Sequence, residues 1–196
     1  MINVINKVWL PYKVKTSLNP HYFFIVFIFI GLFGRLLPHP ANVAPSINLS
    51  LLAGMFLPCY LAFFFICSCN LIVDLLLGYL KDYSVFGNWS IFTYSGLLVI
   101  SYFGFKVNSF CIKNIASAVL ISSFWFWLWT NFGIWLLDGH YSYNLQGLLL
   151  CYKLAIPFLK NSILGDLFWM IIIFMFGLNI AAKNIFPREQ TSPMHI

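Results

Sequence analysis

Long apolar runs alternate with short polar or proline-rich breaks along the whole chain. The first run, Tyr22–Leu37, is nearly all Phe and Ile, with Gly31, Gly34 and Arg35 inside it. Pro38-His39-Pro40-Ala41-Asn42-Val43-Ala44-Pro45 follows, and three prolines in eight residues forbid a helix and impose an extended, fairly rigid loop. From Ser46 to Leu80 the chain is apolar again, with Asp74 its one charge. A single helix of that length would run about 52 Å, far beyond a hydrocarbon core of roughly 30 Å. Gly54 and Pro58 mark the break, which gives a short helix at Ile47–Phe56 and a full one at Cys59–Leu80.

Beyond a polar turn at Lys81–Asn88, spans are expected at Trp89–Phe105, Ile115–Leu137 and Ile163–Ala182. A short basic loop, Lys106–Lys113, and a mixed segment, Asp138–Lys160, separate them. The pattern predicts an all-α polytopic membrane protein of about six transmembrane helices, the second one short. Residues 21–183 form a single transmembrane domain, between a cytoplasmic segment at 1–20 and a cytoplasmic tail at 184–196.

Composition makes the lipid bilayer the expected surroundings. Charged residues are 8% of the 196 and hydrophobic ones 61%, where a soluble domain carries about 25% charged. So little polar side chain cannot coat a water-exposed globule, which excludes a soluble enzyme, a nucleic-acid-binding domain and a disordered chain. The net charge of +6 follows topology. Lys7, Lys13, Lys15, Lys106, Lys113, Lys183 and Arg188 fall on one side of a six-pass arrangement, and Lys81, Lys153 and Lys160 on the other. Short cytoplasmic loops collect Lys and Arg, so both termini are expected inside. A five-pass arrangement moves Lys106 and Lys113 outside and loses the bias. Residues 1–20 are polar and mixed, and no small-residue cleavage site follows the first run, so no signal peptide is expected. The five cysteines are odd in number and lack C-x-x-C; they read as small buried hydrophobes.

Three charges fall at or near bilayer depth. Arg35, Asp74 and Asp166 would each cost about 2.5–3.5 kcal/mol to insert alone, so each needs a partner, a wet cavity or a route to the interface. Six passes put all three near the outer face, where Arg35 is expected to pair with Asp74 or Asp166. Such a network either pins helices together or binds a ligand. The same face collects Asp138, Lys160 and a candidate solute-binding set: Arg35, His39, Asn42, Asn131, Trp135, His140, Tyr141 and Tyr152. A cavity lined in this way suits a small polar or aromatic solute. The plainer reading gives the Trp and Tyr residues to interfacial belts and His39 to backbone hydrogen bonding. His39 and His140 are too sparse for a metal site, and no metal or cofactor is expected. No G-x-x-x-x-G-K-[ST], G-x-S-x-G or H-E-x-x-H occurs. Gly165-Asp166 is only half of a membrane aspartyl pattern, so the chain is not expected to be an enzyme.

Four stretches carry a resemblance. They are the run from Arg35 through Pro45, Asp74-Leu75-Leu76-Leu77-Gly78, Asn131-Phe132-Gly133-Ile134-Trp135-Leu136, and Gly147 to Tyr152 continuing through Ile156-Pro157-Phe158 to Gly165-Asp166. Together they resemble a family of small bacterial integral-membrane proteins of unknown function, described only as candidate transport proteins. More loosely, the short second helix, its break and Asp-Leu-Leu-Leu-Gly are similar to the substrate-binding S components of energy-coupling-factor transporters. Helix 1 here carries Gly31 and Gly34 where those proteins carry an Ala-x-x-x-Ala docking surface. The resemblance implies a bacterial cytoplasmic (inner) membrane protein that takes up a small solute through an outward-facing cavity. Arg35 would be the anchor for an anion or dipole. Possible partners are a coupling subunit and ATPases, with no nucleic acid. A non-enzymatic accessory subunit of a membrane complex is the alternative, and a membrane-embedded enzyme a third.

Overall fold

Prolines set the first boundaries. In the computed structural model, which describes residues 20–37, 42–81, 84–107 and 112–185, α1 (Pro20–Leu36) opens on a proline and stops short of Pro38. A proline suits the first helical turn, and the residue before one is pushed out of helical space. α2 (Ser46–Phe56) starts directly after Pro45 and ends before Leu57-Pro58, and α3 (Cys59–Lys81) follows at once. α4 (Trp89–Lys106), α5 (Ile112–Leu137) and α6 (Leu145–Ile185) complete the chain. All regular structure among the described residues is helical.

Side-chain contacts fix the helix directions. Phe24 and Phe27 of α1 meet Phe65 of α3 with ring centroids 5.2 and 4.6 Å apart, Gly31 faces Val73, and Arg35 meets Asp74. Residue numbers rise together, so α1 and α3 run the same way. Parallel neighbours need the chain carried back between them, and α2 does this: Gly31 faces Leu49 and Gly34 faces Pro45. α4, α5 and α6 then alternate. Gly96 packs on Phe126 and Trp129, and Gly133 on Phe92; the Trp127 indole donates to the Ala155 carbonyl at 2.9 Å.

α2 is the hub. It touches every other helix, and each residue from Ile47 to Gly54 is buried, as expected of a helix that is apolar nearly all round. It crosses α4 backbone to backbone: a Cβ added to Gly54 would overlap the Ser101 carbonyl oxygen, and one added to Gly104 would overlap that of Leu51. Small residues permit this approach between helices in membranes. Gly54 therefore serves a crossing inside α2, and the break expected at Gly54 and Pro58 falls at Leu57-Pro58 alone.

Among the described residues three helical segments, Cys59–Leu80, Ile112–Leu137 and Leu145–Phe174, are long and apolar enough to cross a membrane. Ile25, Phe29 and Phe33 form an outward row on α1, each more than half exposed, and Leu149, Ile156, Leu164, Phe168 and Ile171 face outward on α6. Large exposed apolar side chains in such numbers fit contact with lipid.

The last helix departs from expectation. α6 starts at Leu145 instead of near Ile163 and has 41 residues, about 61 Å at 1.5 Å per residue. Only 138–144 of the mixed segment is non-helical. Asn144 caps the helix, its Oδ1 accepting from the Gly147 N–H at 2.8 Å. Lys153, Pro157 and Lys160 stand on exposed positions, while Cys151, Ala155, Ser162 and Asp166 form the buried side. Lys153, Pro157 and Lys160 stand on the outer face of a helix, interleaved with Leu149, Ile156 and Leu164, and so they do not interrupt it.

Candidate functional site

Because α2 has only 11 residues, about 16 Å of helix, it cannot fill the bundle from end to end. The segment 42–45 folds inward over its N-terminal end. Pro45 is buried against Gly34, which Trp169 also approaches, and Val43 packs on Gly165. Asn42 turns the chain with φ of 66°, a left-handed value that Asn adopts more readily than most residues. The space left between this segment and α3–α6 is a cavity of about 490 Å³, within the range of small-molecule sites, roughly 300–1,000 Å³.

Two carboxyl groups open on that cavity, each with its own partners. Asp74, 2% exposed, is bridged by Arg35 and accepts from the Tyr94 hydroxyl at 2.8 Å. This unites α1, α3 and α4, and of the two partners expected for Arg35 the structure pairs it with Asp74. Asp166, 1% exposed, accepts from the Ser123 hydroxyl at 2.6 Å. The Asn48 amide nitrogen donates to the Asp166 backbone carbonyl at 3.0 Å and lies 3.5 Å from its Oδ1. Among the described residues no cation stands within ion-pair distance of Asp166.

The Ser123 bond carries a prediction. Ser123→Ala leaves a buried carboxylate oxygen without its donor and is expected to cost about 1–3 kcal/mol, read as a lower melting temperature in detergent. Its neighbour Ser122 is the control. The Ser122 hydroxyl is buried without a hydrogen-bond partner among the described residues, so Ser122→Ala is expected to be neutral or mildly stabilising.

Of the candidate solute-binding residues, Arg35, Asn42, Asn131 and Tyr141 line the cavity, with Asp74 and Asp166 beside them. Trp135, His140 and Tyr152 are not on its lining. Trp135 donates to the Ser142 carbonyl at 3.0 Å and Tyr152 to the Leu128 carbonyl at 2.9 Å, so both tie the α5–α6 hairpin together. His140 is exposed in the turn after α5. His39 lies outside the described residues. Sequence reasoning missed Asn70, Thr93, Trp127 and Thr130 on the lining, and Asn48 and Ser123 beside Asp166. Asn70 stands four residues before Asp74, one helical turn away on the same face, and that spacing was a usable signal. Among the described residues no three His, Cys, Asp or Glu side chains converge to hold a metal ion.

No curated protein and no solved structure matches the chain. Residues 16–188 match the model of a family of unknown function, DUF6580; the chain, with its apolar helices around a polar cavity, belongs to that family.

Proposed function

We propose that the chain is the solute-binding component of a transport system in the bacterial cytoplasmic membrane, with both termini inside. The observation that supports this best is the 490 Å³ cavity. Polar groups inside a membrane bundle are costly. Charges that only pin helices need no void, and here Arg35, Asp74 and Asp166 share one. Asn42 and Ala44 line the cavity on the side assigned to the exterior, where a solute would enter. The looser likeness to S components adds a mode of action: a coupling subunit and ATPases would drive release to the cytoplasm.

A second reading, an accessory subunit of another membrane complex, draws on one observation. Asp74 is held by both Arg35 and Tyr94, as in a structural pin across three helices. The membrane-enzyme reading ranks third, since the two carboxyl groups have separate hydrogen-bond partners. The test is affinity purification from native membranes in mild detergent, with mass spectrometry of co-eluting proteins and small molecules. A retained metabolite, or an ATPase pair with a membrane subunit, is expected. Recovery with a different membrane complex and no small molecule would replace the proposal with the accessory reading.

A further inference from the structure

The cavity lining is rich in hydrogen-bond acceptors. Thr93 and Thr130 donate their hydroxyl protons to their own helices, to the Trp89 carbonyl at 3.2 Å and the Phe126 carbonyl at 2.8 Å. The amide nitrogens of Asn70 and Asn131 do the same, to the Ile66 carbonyl at 2.8 Å and the Trp127 carbonyl at 2.7 Å. With both hydroxyl protons and one amide proton of each Asn engaged on backbone, these four side chains offer the cavity oxygen lone pairs, and each Asn keeps one further N–H. A solute that satisfies them must bring N–H or O–H groups.

Charge points the same way. The charged residues on the lining are Arg35, Asp74 and Asp166, one positive and two negative, a sum of −1. Arg35 and Asp74 neutralise each other, so the surplus lies at Asp166. The N-terminal end of α2 also reaches the cavity through Ser46 and Ile47. Its partial charge is about +0.5 and offsets only part of the carboxylate. Asp138 adds negative potential near Tyr141 at the other end. Lys153 and Lys160 are exposed and are not part of the lining. The ring of Trp127 also lines the cavity while its N–H is bonded to Ala155; a face of this kind attracts cations.

We infer that the cavity takes a monovalent organic ammonium ion, with Asp166 as its counter-charge and the Asn and Thr oxygens as acceptors for its N–H groups. An ammonium group is all donor and no acceptor, which matches the lining. The inference rests on the solute-binding reading and narrows it to a chemical class.

The test uses the full chain in detergent, with four aromatic probes: benzylamine and tyramine as cations, benzyl alcohol as the neutral form, and benzoate as the anion. Binding is read by calorimetry and by tryptophan fluorescence. At least one amine is expected to bind tenfold or more tighter than benzyl alcohol and benzoate, and Asp166→Asn to lose at least tenfold of that affinity. Thr130→Val, which keeps the carboxylate, is expected to weaken amine binding severalfold. This second variant decides the matter if Asp166→Asn does not fold, because unchanged amine affinity in Thr130→Val would overturn the inference. Tightest binding of benzoate, lost in Arg35→Gln, would overturn the ammonium class while leaving a solute-binding protein. Binding of none of the four would also overturn it. If native preparations then carried no small molecule, the solute-binding reading would fall with it.

Discussion

An Arg35→Met chain is expected to lose about 3–5 kcal/mol of folding free energy, the usual cost of stripping one partner from a buried ion pair. The reason is what stays behind. Asp74 is 2% exposed and would keep only the Tyr94 hydroxyl, too little to replace a guanidinium. The converse change is milder. Asp74→Asn leaves Arg35, whose side chain is 24% exposed, and a long basic side chain can carry its head toward the interface along an apolar stem. Replacing the whole group, with Arg35→Met, Asp74→Leu and Tyr94→Phe together, is expected to recover most of the loss, because the buried carboxylate goes with its partners. The measurement is a double-mutant cycle on Arg35 and Asp74 by reversible denaturation in one detergent, with a coupling energy of about 1–3 kcal/mol. An Arg35→Met chain as stable as the parent would show that the pair is not a structural pin.

Alanine at Gly54 or Gly104 is expected to disrupt the hub, and anything larger to prevent recovery of folded protein. The added carbon meets a backbone carbonyl of the facing helix at both positions. A carbonyl cannot turn aside like a side-chain tip; the helix must move. Overpacking costs about 1–3 kcal/mol where side chains can adjust, so these sites should lie at or above the upper end. Gly31 is the internal comparison. A Cβ there would stand 3.5 Å from Val73 and 3.7 Å from Leu49, ordinary contact distances, so Gly31→Ala is expected to be nearly neutral. Monodispersity on gel filtration and the melting temperature of the three alanine variants check the ranking. Equal tolerance at all three sites would mean that α2 and α4 do not pack this closely.

Much of the helix plan was legible because membrane spans announce themselves by length and apolarity. The boundaries expected for 22–37, 47–56, 59–80 and 89–105 differ from α1–α4 by at most two residues. The Arg35–Asp74 pair was one of two options offered by burial cost alone. Periodicity on α6 was hidden by composition: Lys153, Pro157 and Lys160 read as a break in a linear scan, whereas on a helix they share an exposed side. Pro157 adds to the confusion, since proline in a helix interior forfeits a hydrogen bond. The cavity was legible only in outline. Arg35, Asn42, Asn131 and Tyr141 reached its lining, but Thr93, Thr130 and Asn70 look in sequence like ordinary polar residues within apolar spans. Their alignment depends on how far α3, α4 and α5 are rotated, which a single sequence does not encode locally. The inward fold of 42–45 was illegible for a related reason, because it depends on Gly34 and Gly165 of two distant helices.

The short central helix also dictates an order of biogenesis. With a length of about 16 Å it is too short to cross a hydrocarbon core by itself, and Asn48 and Ser50, 0% and 1% exposed, give it little welcome in lipid. The Asn48 amide finds its acceptors on Asp166 of α6, 118 residues further on. While the ribosome is still making α3, α4 and α5, α2 has no finished place to go. It can dock on α4 once that helix is made, through Gly54 and Gly104, but its Asn48 contacts wait for the last helix. A polypeptide interrupted before residue 166 would hold an incomplete shell around an unsettled centre, a form that quality-control proteases are equipped to clear.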